Sequence, residues 1–312
     1  MTNSSRIVTL TLNPALDLVS QAEAVRPVRK IRTTGDHIDP GGGGINVARV
    51  IHALGGETLA VIMTGGVTGR YVEDLLTATH VPWRAVPIDG RTRICLTVLD
   101  RASGLEYRFV PEGPLVSSAE WDATLAAIEQ IEGGWLVASG SLPRGAPSDA
   151  YAMIARLAVR RGLRFVLDTS GPAFGAALGH GIELVKPSLG ELEAHAGRPL
   201  PEPAQQEAET LKLVRSGAAR MVALTLGAGG ALLAHPDGVV RMPALPEPVH
   251  STVGAGDAFL AAMTLSLARG AAPKEALAWG IAAGAAAVAQ IGTAQVERTE
   301  VEKRYGRLAT AI

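Results

Sequence analysis

Residues 251–259 read Ser-Thr-Val-Gly-Ala-Gly-Asp-Ala-Phe, a glycine-containing turn that ends in a carboxylate beside an apolar segment. That segment, Ala258–Ala268, contains neither glycine nor proline, which is typical of a buried helix. Gly254, Ala255 and Gly256 would then lie at the helix N-terminus, where unpaired N–H groups and the helix dipole favour an anion. Because their side chains are small, a polyphosphate could approach this backbone closely.

Asp257 needs a separate explanation, because a carboxylate beside an anion site repels phosphate. One interpretation is that Asp257 accepts a proton from an attacking hydroxyl while the backbone amides hold the developing charge. The other is that it only caps the helix, since aspartate is favoured in the first turn. Taken alone, the segment leaves both interpretations open.

A second glycine segment, Gly41 to Gly44, directly precedes another apolar helix that starts near Ile45. Four successive glycines cost chain entropy on folding, and a flexible linker would explain them only if polar segments flanked them. We therefore expect the backbone at Gly42 and Gly43 to approach a ligand. Asn46 is the first side chain after them that can offer both a donor and an acceptor to a sugar hydroxyl.

The rest of the chain alternates short β-type runs with helical ones, which predicts an α/β fold with a mostly parallel sheet covered on both faces. The predicted strands are Ile7–Leu12, Thr58–Met63, Trp135–Ala138, Arg164–Leu167, Ile182–Val185, Met221–Thr225 and Ala231–Ala234. The predicted helices are Tyr71–Thr79, Ser118–Ile131, Ser148–Arg161, Glu207–Ser216, Ala258–Ala268 and Pro273–Gln290. The last strand belongs to a hairpin-like pair near residues 231–242, which we place at one edge of the sheet.

Two extended segments, about 16–38 and 91–110, interrupt this alternation and carry clustered positive charge. Lys30 and Arg32 share one face if their segment is extended, and Arg91 and Arg93 share one in theirs. A guanidinium suits a phosphate monoester, whereas an isolated surface arginine is usually only solvated.

Composition excludes some classes of protein. The chain has 312 residues, 47% hydrophobic content and a net charge of −1, so it shows no electrostatic signature of nucleic-acid binding. Its single cysteine, Cys95, cannot form an internal disulfide and lies in an alternating run that suits packing. Asn13-Pro14 and Asp17 interrupt the N-terminal apolar run, and charges and Gly280 divide residues 258–291. We therefore expect no signal peptide, no membrane span and a cytoplasmic protein.

The two glycine segments, in this order and about 200 residues apart, resemble the two signature motifs of the ribokinase-like carbohydrate kinases, the PfkB family. Further matching stretches extend the resemblance over essentially the whole chain. They are Thr9–Asp17, Ser139–Pro143, Leu184–Leu192 and Thr225–Ala231. The motif set is most similar to the phosphofructokinase and tagatose-6-phosphate kinase branch, and within it to the minor PfkB type of 6-phosphofructokinase.

The resemblance implies a ribokinase-like three-layer sandwich, with a small β-sheet lid formed by the segments at 16–38 and 91–110 within one domain, residues 1–312. It implies transfer of the γ-phosphoryl group of ATP to a hydroxyl of a phosphorylated ketohexose, foremost fructose 6-phosphate giving fructose 1,6-bisphosphate. The alternatives are 1-phosphofructokinase, tagatose-6-phosphate kinase and, outside catalysis, a silent sensor of sugar phosphate and nucleotide. A dinucleotide oxidoreductase is excluded, because the glycine run follows Asp39-Pro40 rather than a clean first strand.

The resemblance also implies the site residues. The catalytic set is Gly254, Ala255, Gly256 and Asp257. The substrate set is Asp17, Lys30, Arg32, Gly42, Gly43, Asn46, Arg93 and Ser141. The nucleotide set is Lys186, Ser188, Thr225, Gly227 and Gly230. For Asp17, a turn cap is the structural alternative to a carboxylate that holds sugar hydroxyls.

The implied cofactor is Mg²⁺ with ATP, and K⁺ is an option. Glu191 matches the acid of the family's Asn-x-x-Glu motif and would act on Mg²⁺ through water, but Ser188 replaces the Asn, so weaker magnesium handling is an alternative. Ser251 and Val253, together with residues 288–293, resemble the loops that bind a monovalent cation through backbone carbonyls. The implied partners are ATP and a sugar phosphate, with a homodimer formed through the lid, since an exposed small sheet needs covering. A monomer with an ordinary hairpin is the alternative.

Overall fold

The computed structural model of the chain describes residues 5–132, 134–290 and 296–309. Its strands are β1 (Ile7–Thr11), β2 (Ala15–Ala22), β3 (Thr33–Gly41), β4 (Thr58–Thr64), β5 (Trp83–Pro87), β6 (Arg93–Asp100), β7 (Glu106–Phe109), β8 (Trp135–Ser139), β9 (Arg164–Asp168), β10 (Ile182–Val185), β11 (Met221–Thr225), β12 (Ala231–His235) and β13 (Gly238–Met242). Its α-helices are α1 (Gly43–Ala53), α2 (Gly66–Ala78), α3 (Ser118–Glu129), α4 (Ala150–Arg160), α5 (Pro172–Ala177), α6 (Leu189–Ala196), α7 (Pro203–Arg215), α8 (Ala255–Ala268), α9 (Pro273–Val288) and α10 (Arg298–Ala309).

The main sheet has the strand order β13-β12-β11-β10-β9-β8-β1-β4-β5. Every pairing from β5 to β11 is parallel, while β12 and β13 form an antiparallel hairpin at one edge, as the sequence predicts. The central strands are buried on both faces. Along β8, Leu136 and Ala138 join one apolar core and Trp135 and Val137 join the other, because alternate side chains point to opposite faces. Helices therefore cover both sides, and the predicted three-layer α/β arrangement is confirmed.

A second sheet of four strands, ordered β3-β2-β6-β7, lies apart from the main sheet. Strands β6 and β7 fall within the predicted segment 91–110 and pair in antiparallel register, with Thr97 opposite Arg108. The other segment, 16–38, is not continuously extended. Residues 23–32 connect β2 to β3 outside either strand, and Lys30 and Arg32 are exposed there. The condition under which Lys30 and Arg32 would share one strand face is therefore not met, because neither residue lies in a strand.

The predicted elements are all present, with ends shifted by a few residues. The apolar region after Asp257 divides into α8 and α9, and no described helix has the length and apolar character that a bilayer crossing requires. Four elements of the structure were not predicted from the sequence: β5, α5, α6 and α10. For α6 the signal was present, since Ser188 and Glu191 form a capping box at its start. Helix α10 is largely polar, so its apolar periodicity was weak.

The glycine segment carries the chain from the lid into the main sheet. Strand β3 ends at Gly41, Gly42 has a φ of 117°, and α1 begins at Gly43. At Gly44 a Cβ atom would lie 2.5 Å from the carbonyl oxygen of Leu10 and 2.5 Å from Thr11 Oγ1. Only glycine therefore allows α1 to start this close to the end of β1.

We expect Gly44→Ala to lower the free energy of unfolding by about 1–3 kcal/mol, because the added methyl group collides with backbone that cannot move freely. Gly190→Ala is the matched control, since Gly190 is also the second residue of its helix but no atom surrounds its Cβ position within 4 Å. There we expect a gain of about 0.5–1 kcal/mol. Urea unfolding measures both, and equal effects would contradict the packing explanation.

Candidate active site

A cavity of about 350 Å³ lies between the lid and the carboxyl edge of the main sheet. Ser139 and Asp168, which end two adjacent parallel strands, line it from below, while Asp17 on β2 lines it from the lid. Ligands of open parallel sheets bind at this edge, where loops rather than strands face solvent. The position of the cavity therefore follows from the topology of the sheet.

Asp257 lies in the first turn of α8 and faces this cavity. The N-cap is Gly254, with a φ of 78°, and not Asp257. The Asp257 carboxylate instead accepts a hydrogen bond from Asn46, whose Nδ2 lies 2.8 Å from Oδ2. The Asp257 side chain therefore does not make the capping hydrogen bond that the second interpretation requires. Instead, its contact with Asn46 joins the two glycine segments.

The environment of Asp257 raises its pKa to about 7. Burial is the largest cause, and the negative charge of Asp168 adds to it. The hydrogen bond from Asn46 and the charge of Lys186 act in the opposite direction but do not cancel the burial. A carboxylate with a pKa near neutrality can both accept and release a proton, which is what general base catalysis requires.

Lys186 is buried beneath this helix terminus, and its Nζ lies 3.1 Å from Asp168 Oδ1. Burial alone would lower the Lys186 pKa, but the carboxylates of Asp168, Asp257 and Glu191 outweigh it and raise the pKa. The ammonium group therefore stays charged. A Cβ atom at Gly256 would lie 3.4 Å from Lys186 Nζ, so the lysine adds positive charge directly below the glycine turn.

The glycine segment runs between the side chains of Asp17 and Asp257, where there is no room for a Cβ atom at Gly41 or Gly43. A Cβ atom at Gly41 would collide with the Asp17 carboxylate, and one at Gly43 would collide with Ser139 and lie 3.2 Å from Asp257 Oδ1. Gly42 and Gly43 line the cavity, as the close-approach interpretation predicts. The glycines thus make room for a ligand that contacts both Asp17 and Asp257.

The pKa of Asp17 is raised to about 6, first by burial and second by the negative charge of Asp39. Asp39 lies directly opposite Asp17 on the neighbouring strand β3. The positive charges of Arg93 and Arg108 partly offset these effects. Asp17 is therefore a cavity carboxylate held among charged lid residues.

Arg93 and Ser141 lie together at the lid end of the cavity. Arg93 donates to the carbonyl oxygens of Pro111 and Asn13, at 2.8 and 2.9 Å, so its guanidinium is held in place. Ser141 Oγ accepts from Asn13 Nδ2 at 3.1 Å and from Arg93 Nη2 at 3.4 Å. Because these two bonds use the lone pairs of that oxygen, its proton is free to be donated to an anion.

Two further residues that were not predicted from the sequence, Arg108 and Cys95, also line the first cavity. Arg108 and Cys95 line the cavity from the lid, because alternate residues of β6 and β7 face it. Period-two alternation starting from Arg93 could have identified Cys95, and the strand pairing identifies Arg108. Burial is the main cause that raises the pKa of Cys95, so it remains a protonated thiol. Lys30 and Arg32, predicted as substrate ligands, do not line this cavity within one chain.

A second cavity of about 530 Å³ adjoins the first at the start of α8, and Thr252 lines both. Thr225, Gly227 and Gly230, predicted for the nucleotide, line it together with mostly apolar residues of α8, α9 and the loop 243–254. Its shape and apolar walls suit a nucleoside, and its mouth opens at the glycine turn that suits phosphates.

Of the residues predicted for the nucleotide, Lys186 and Ser188 line neither cavity. Lys186 lies below the glycine turn, whereas Ser188 makes a local contact. Its Oγ accepts from the Glu191 N–H, and its own N–H donates to Glu191 Oε2 at 2.7 Å. This capping box orients Glu191, which does line the first cavity. The residue that replaces the family's Asn therefore positions the neighbouring acid.

For a metal ion, the described residues contain no cluster of three or more acidic, histidine or cysteine side chains arranged as a complete site. The oxygen donors at the cavity fit a hard cation that is bound mainly through nucleotide phosphates and water. At the predicted monovalent cation loop, Val253 N–H donates to Ser251 Oγ at 3.2 Å. Residues 291–293 of the matching loop lie outside the described residues.

The fold and this site define an α/β kinase of small molecules, with a carboxylate and a glycine turn at one helix terminus between two cavities. The sequence profile of the pfkB family carbohydrate kinases matches residues 10–300, and the chain belongs to that family. It is 40% identical to ATP-dependent 6-phosphofructokinase isozyme 2 of Escherichia coli K12 over 97% of this chain and 99% of that protein.

Two crystal structures of phosphofructokinase-2 from Escherichia coli share the fold. The complex with potassium has a TM-score of 0.93 at 39% identity, and the complex with fructose-6-phosphate has a TM-score of 0.92 at 38% identity. Each match covers 99% of this chain and 100% of the other. The ribokinase-like fold with a small separate sheet, inferred from the sequence, is confirmed.

We expect Arg93→Ala to raise the KM for a sugar phosphate roughly ten- to hundredfold while the KM for ATP changes little, because a charge-assisted contact to phosphate is lost. Arg91→Ala is the matched control, since Arg91 is exposed two residues earlier and does not line the cavity. Steady-state kinetics with each substrate varied measures both constants. Equal KM values in the two variants would rule out a role of Arg93 in binding phosphate.

Proposed function

We propose that the chain is an ATP-dependent kinase that transfers the γ-phosphoryl group to the C1 hydroxyl of fructose 6-phosphate, giving fructose 1,6-bisphosphate and ADP. The observation that carries this proposal is the position of Asp257, which lines the sugar-sized cavity with Arg93 and Ser141 and directly follows Gly256, a residue that lines the nucleotide-sized apolar cavity. A carboxylate beside two anionic substrates is unfavourable for binding alone, so a chemical role explains it best.

In the proposed reaction the hydroxyl oxygen attacks the γ-phosphorus of ATP, the bond to the β-phosphate oxygen breaks, and Asp257 takes the hydroxyl proton. The backbone N–H group of Gly256 and the ammonium group of Lys186 stabilise charge on the transferred phosphoryl group. The Ala255 N–H, predicted for the same role, donates to the carbonyl oxygen of Thr252 at 3.4 Å. Asn46 holds the Asp257 carboxylate in place through its hydrogen bond. Asp17 and the backbone at Gly42 and Gly43 hold the sugar.

The opposite end of the sugar would be held by its phosphate at Arg93 and Ser141, with Arg108 alongside. Lys30 and Arg32 belong to this phosphate set only if the exposed loop that carries them reaches a cavity in the assembled protein. The alternative substrates, fructose 1-phosphate and tagatose 6-phosphate, differ in the end that carries phosphate or in one stereocentre. The likeness to the 6-phosphofructokinase isozyme favours fructose 6-phosphate over them.

We include Mg²⁺ as the cofactor, held through water by Glu191 and by the nucleotide itself. When bound, Mg²⁺ neutralises phosphate charge during transfer. K⁺ is an optional second cation at the backbone carbonyls of Ser251 and Val253. The crystallised potassium complex of the Escherichia coli protein supports including it.

We also propose that the chain forms a homodimer through its lid. One face of the lid sheet lines the cavity, while Ile94, Tyr107 and Phe109 alternate with those residues and are exposed, by 44%, 37% and 55%. Clustered exposed apolar side chains on a small sheet are typical of an interface. A cytoplasmic location completes the proposal, because ATP is available there.

The test of the substrate is a coupled ADP-release assay with fructose 6-phosphate, fructose 1-phosphate, tagatose 6-phosphate and unphosphorylated fructose. We expect the highest kcat/KM with fructose 6-phosphate and poor use of fructose, since fructose cannot engage the Arg93 end of the cavity. A preference for another sugar phosphate would reassign the substrate. Binding of both ligands without any turnover would support the sensor alternative.

The test of the mechanism is Asp257→Asn. We expect kcat to fall about 10²–10⁴-fold while both substrates still bind, because asparagine has nearly the same size but cannot take the proton. Asp122→Asn is a control, since Asp122 is exposed on α3. A kcat within about threefold of the parent would contradict the base assignment.

The pH dependence tests the same group. Since the base must be ionised and the pKa of Asp257 is about 7, the ionised fraction falls as pH decreases through that value. We expect kcat/KM to fall about tenfold for each pH unit well below 7, and to approach a plateau above it. An acid limb with an ordinary aspartate pKa near 4 would contradict this assignment.

A further inference from the structure

The loop 243–254 forms one wall of the nucleotide cavity and has no regular structure of its own. It connects β13 to α8 and presents Leu245, Glu247 and Val249 to the cavity. Near its end, the His250 N–H donates to the carbonyl oxygen of Val288 on α9, at 2.8 Å. A wall made of irregular chain needs contacts elsewhere to hold its position.

Those contacts come from the C-terminal helix α10. Glu247 Oε2 accepts from Arg304 Nη2 at 3.0 Å, and Glu247 Oε1 accepts from Arg307 Nη1 at 2.6 Å. The side chains of Glu247 and Arg304 are each only 10% exposed, so this ion pair is largely removed from solvent. Arg304 is held in turn by Glu300, one turn earlier on the same helix.

Helix α10 also packs against α9, which lines the same cavity. Tyr305, the residue after Arg304, stacks on Trp279 of α9 with ring centroids 4.5 Å apart and planes 16° apart. The same helix α9 presents Ile281, Gly284 and Val288 to the nucleotide cavity. Two successive residues of α10 therefore hold two parts of the cavity wall: Arg304 contacts the loop 243–254, and Tyr305 contacts α9.

Arg304 and Arg307 also neutralise the negative charge of Glu247. A carboxylate in the wall of a cavity for a polyanionic nucleotide would repel it unless it were neutralised. Both oxygens of Glu247 are engaged by guanidinium groups, so Glu247 is not arranged as a ligand of the nucleotide. Removing one partner of a buried ion pair is strongly destabilising, because the remaining charge is left buried with less compensation.

We propose that Glu247, Arg304 and Arg307 are positioning residues for the nucleotide, through which α10 holds the loop 243–254 in place and neutralises its carboxylate. This inference rests on the proposed function for the identity of the nucleotide as ATP. None of the three residues lines the sugar cavity. Their effect is therefore confined to nucleotide binding and does not extend to the sugar phosphate or the chemical step.

The test is Arg304→Met in the full chain. We expect the KM for ATP to rise about tenfold or more, while kcat at saturating ATP and the KM for fructose 6-phosphate stay within about twofold. Arg304→Lys keeps the charge without the planar fork and should recover part of the ATP affinity. Arg298→Met is the matched control, because it breaks an ion pair to Glu302 on the same helix that does not touch the loop.

Calorimetric titration with ATP alone separates this inference from the kinase assignment. A parent that binds ATP but does not phosphorylate any tested sugar would refute the proposed function, and weaker ATP binding in Arg304→Met would still support the positioning role. A lowered melting temperature with unchanged ATP affinity would mean that the ion pairs serve stability only, and would overturn it.

If Arg304→Met does not fold, Arg307→Met provides the same comparison. The Arg307 side chain is 46% exposed, so its replacement disturbs packing less, and it removes the partner of Glu247 Oε1. We expect its dissociation constant for ATP to be at least about threefold above that of Arg298→Met. Equal dissociation constants in these two variants would overturn the proposal.

Discussion

The hydrogen bond from Asn46 to Asp257 joins two segments 211 residues apart in sequence, and the rest of the site depends on it. Apolar packing sets α1 beside α8, and this hydrogen bond joins their two glycine-rich starts at one cavity. The close fit of Gly44 against Leu10 and of Gly43 against Ser139 makes this approach possible. Larger residues at these positions would separate the helix starts and enlarge the distance between the proposed base and its substrates.

Burial gives the site its electrostatic character. Asp17 and Asp257 both have pKa values raised above that of an ordinary aspartate, chiefly because water is excluded from them. Lys186 remains charged because three carboxylates surround it. In the proposed reaction the buried ammonium group of Lys186 would bind the transferred phosphate, and the Asp257 carboxylate, whose pKa is raised to about 7, would take the released proton.

The small sheet and the C-terminal helix supply what the main sheet lacks. The main sheet places Ser139, Asp168 and the glycine turns, whereas the lid contributes the positive charges of Arg93 and Arg108 to the first cavity. The wall of the nucleotide cavity comes from a loop whose carboxylate is anchored by α10. In the proposed function, binding at either end of the site thus relies on elements outside the central α/β core, which are also the parts that sequence periodicity describes least well.

The sequence by itself determined the α/β class, the succession of the central strands and of most helices along the chain, and the two glycine segments with Asp257 and Asn46. Those features are local, since apolar periodicity and glycine content follow from neighbouring residues. Tertiary structure alone decided which residues meet. It brought Arg108 into the cavity and left Lys30 and Arg32 on an exposed loop, because strand pairing and loop paths depend on contacts between residues distant in the chain.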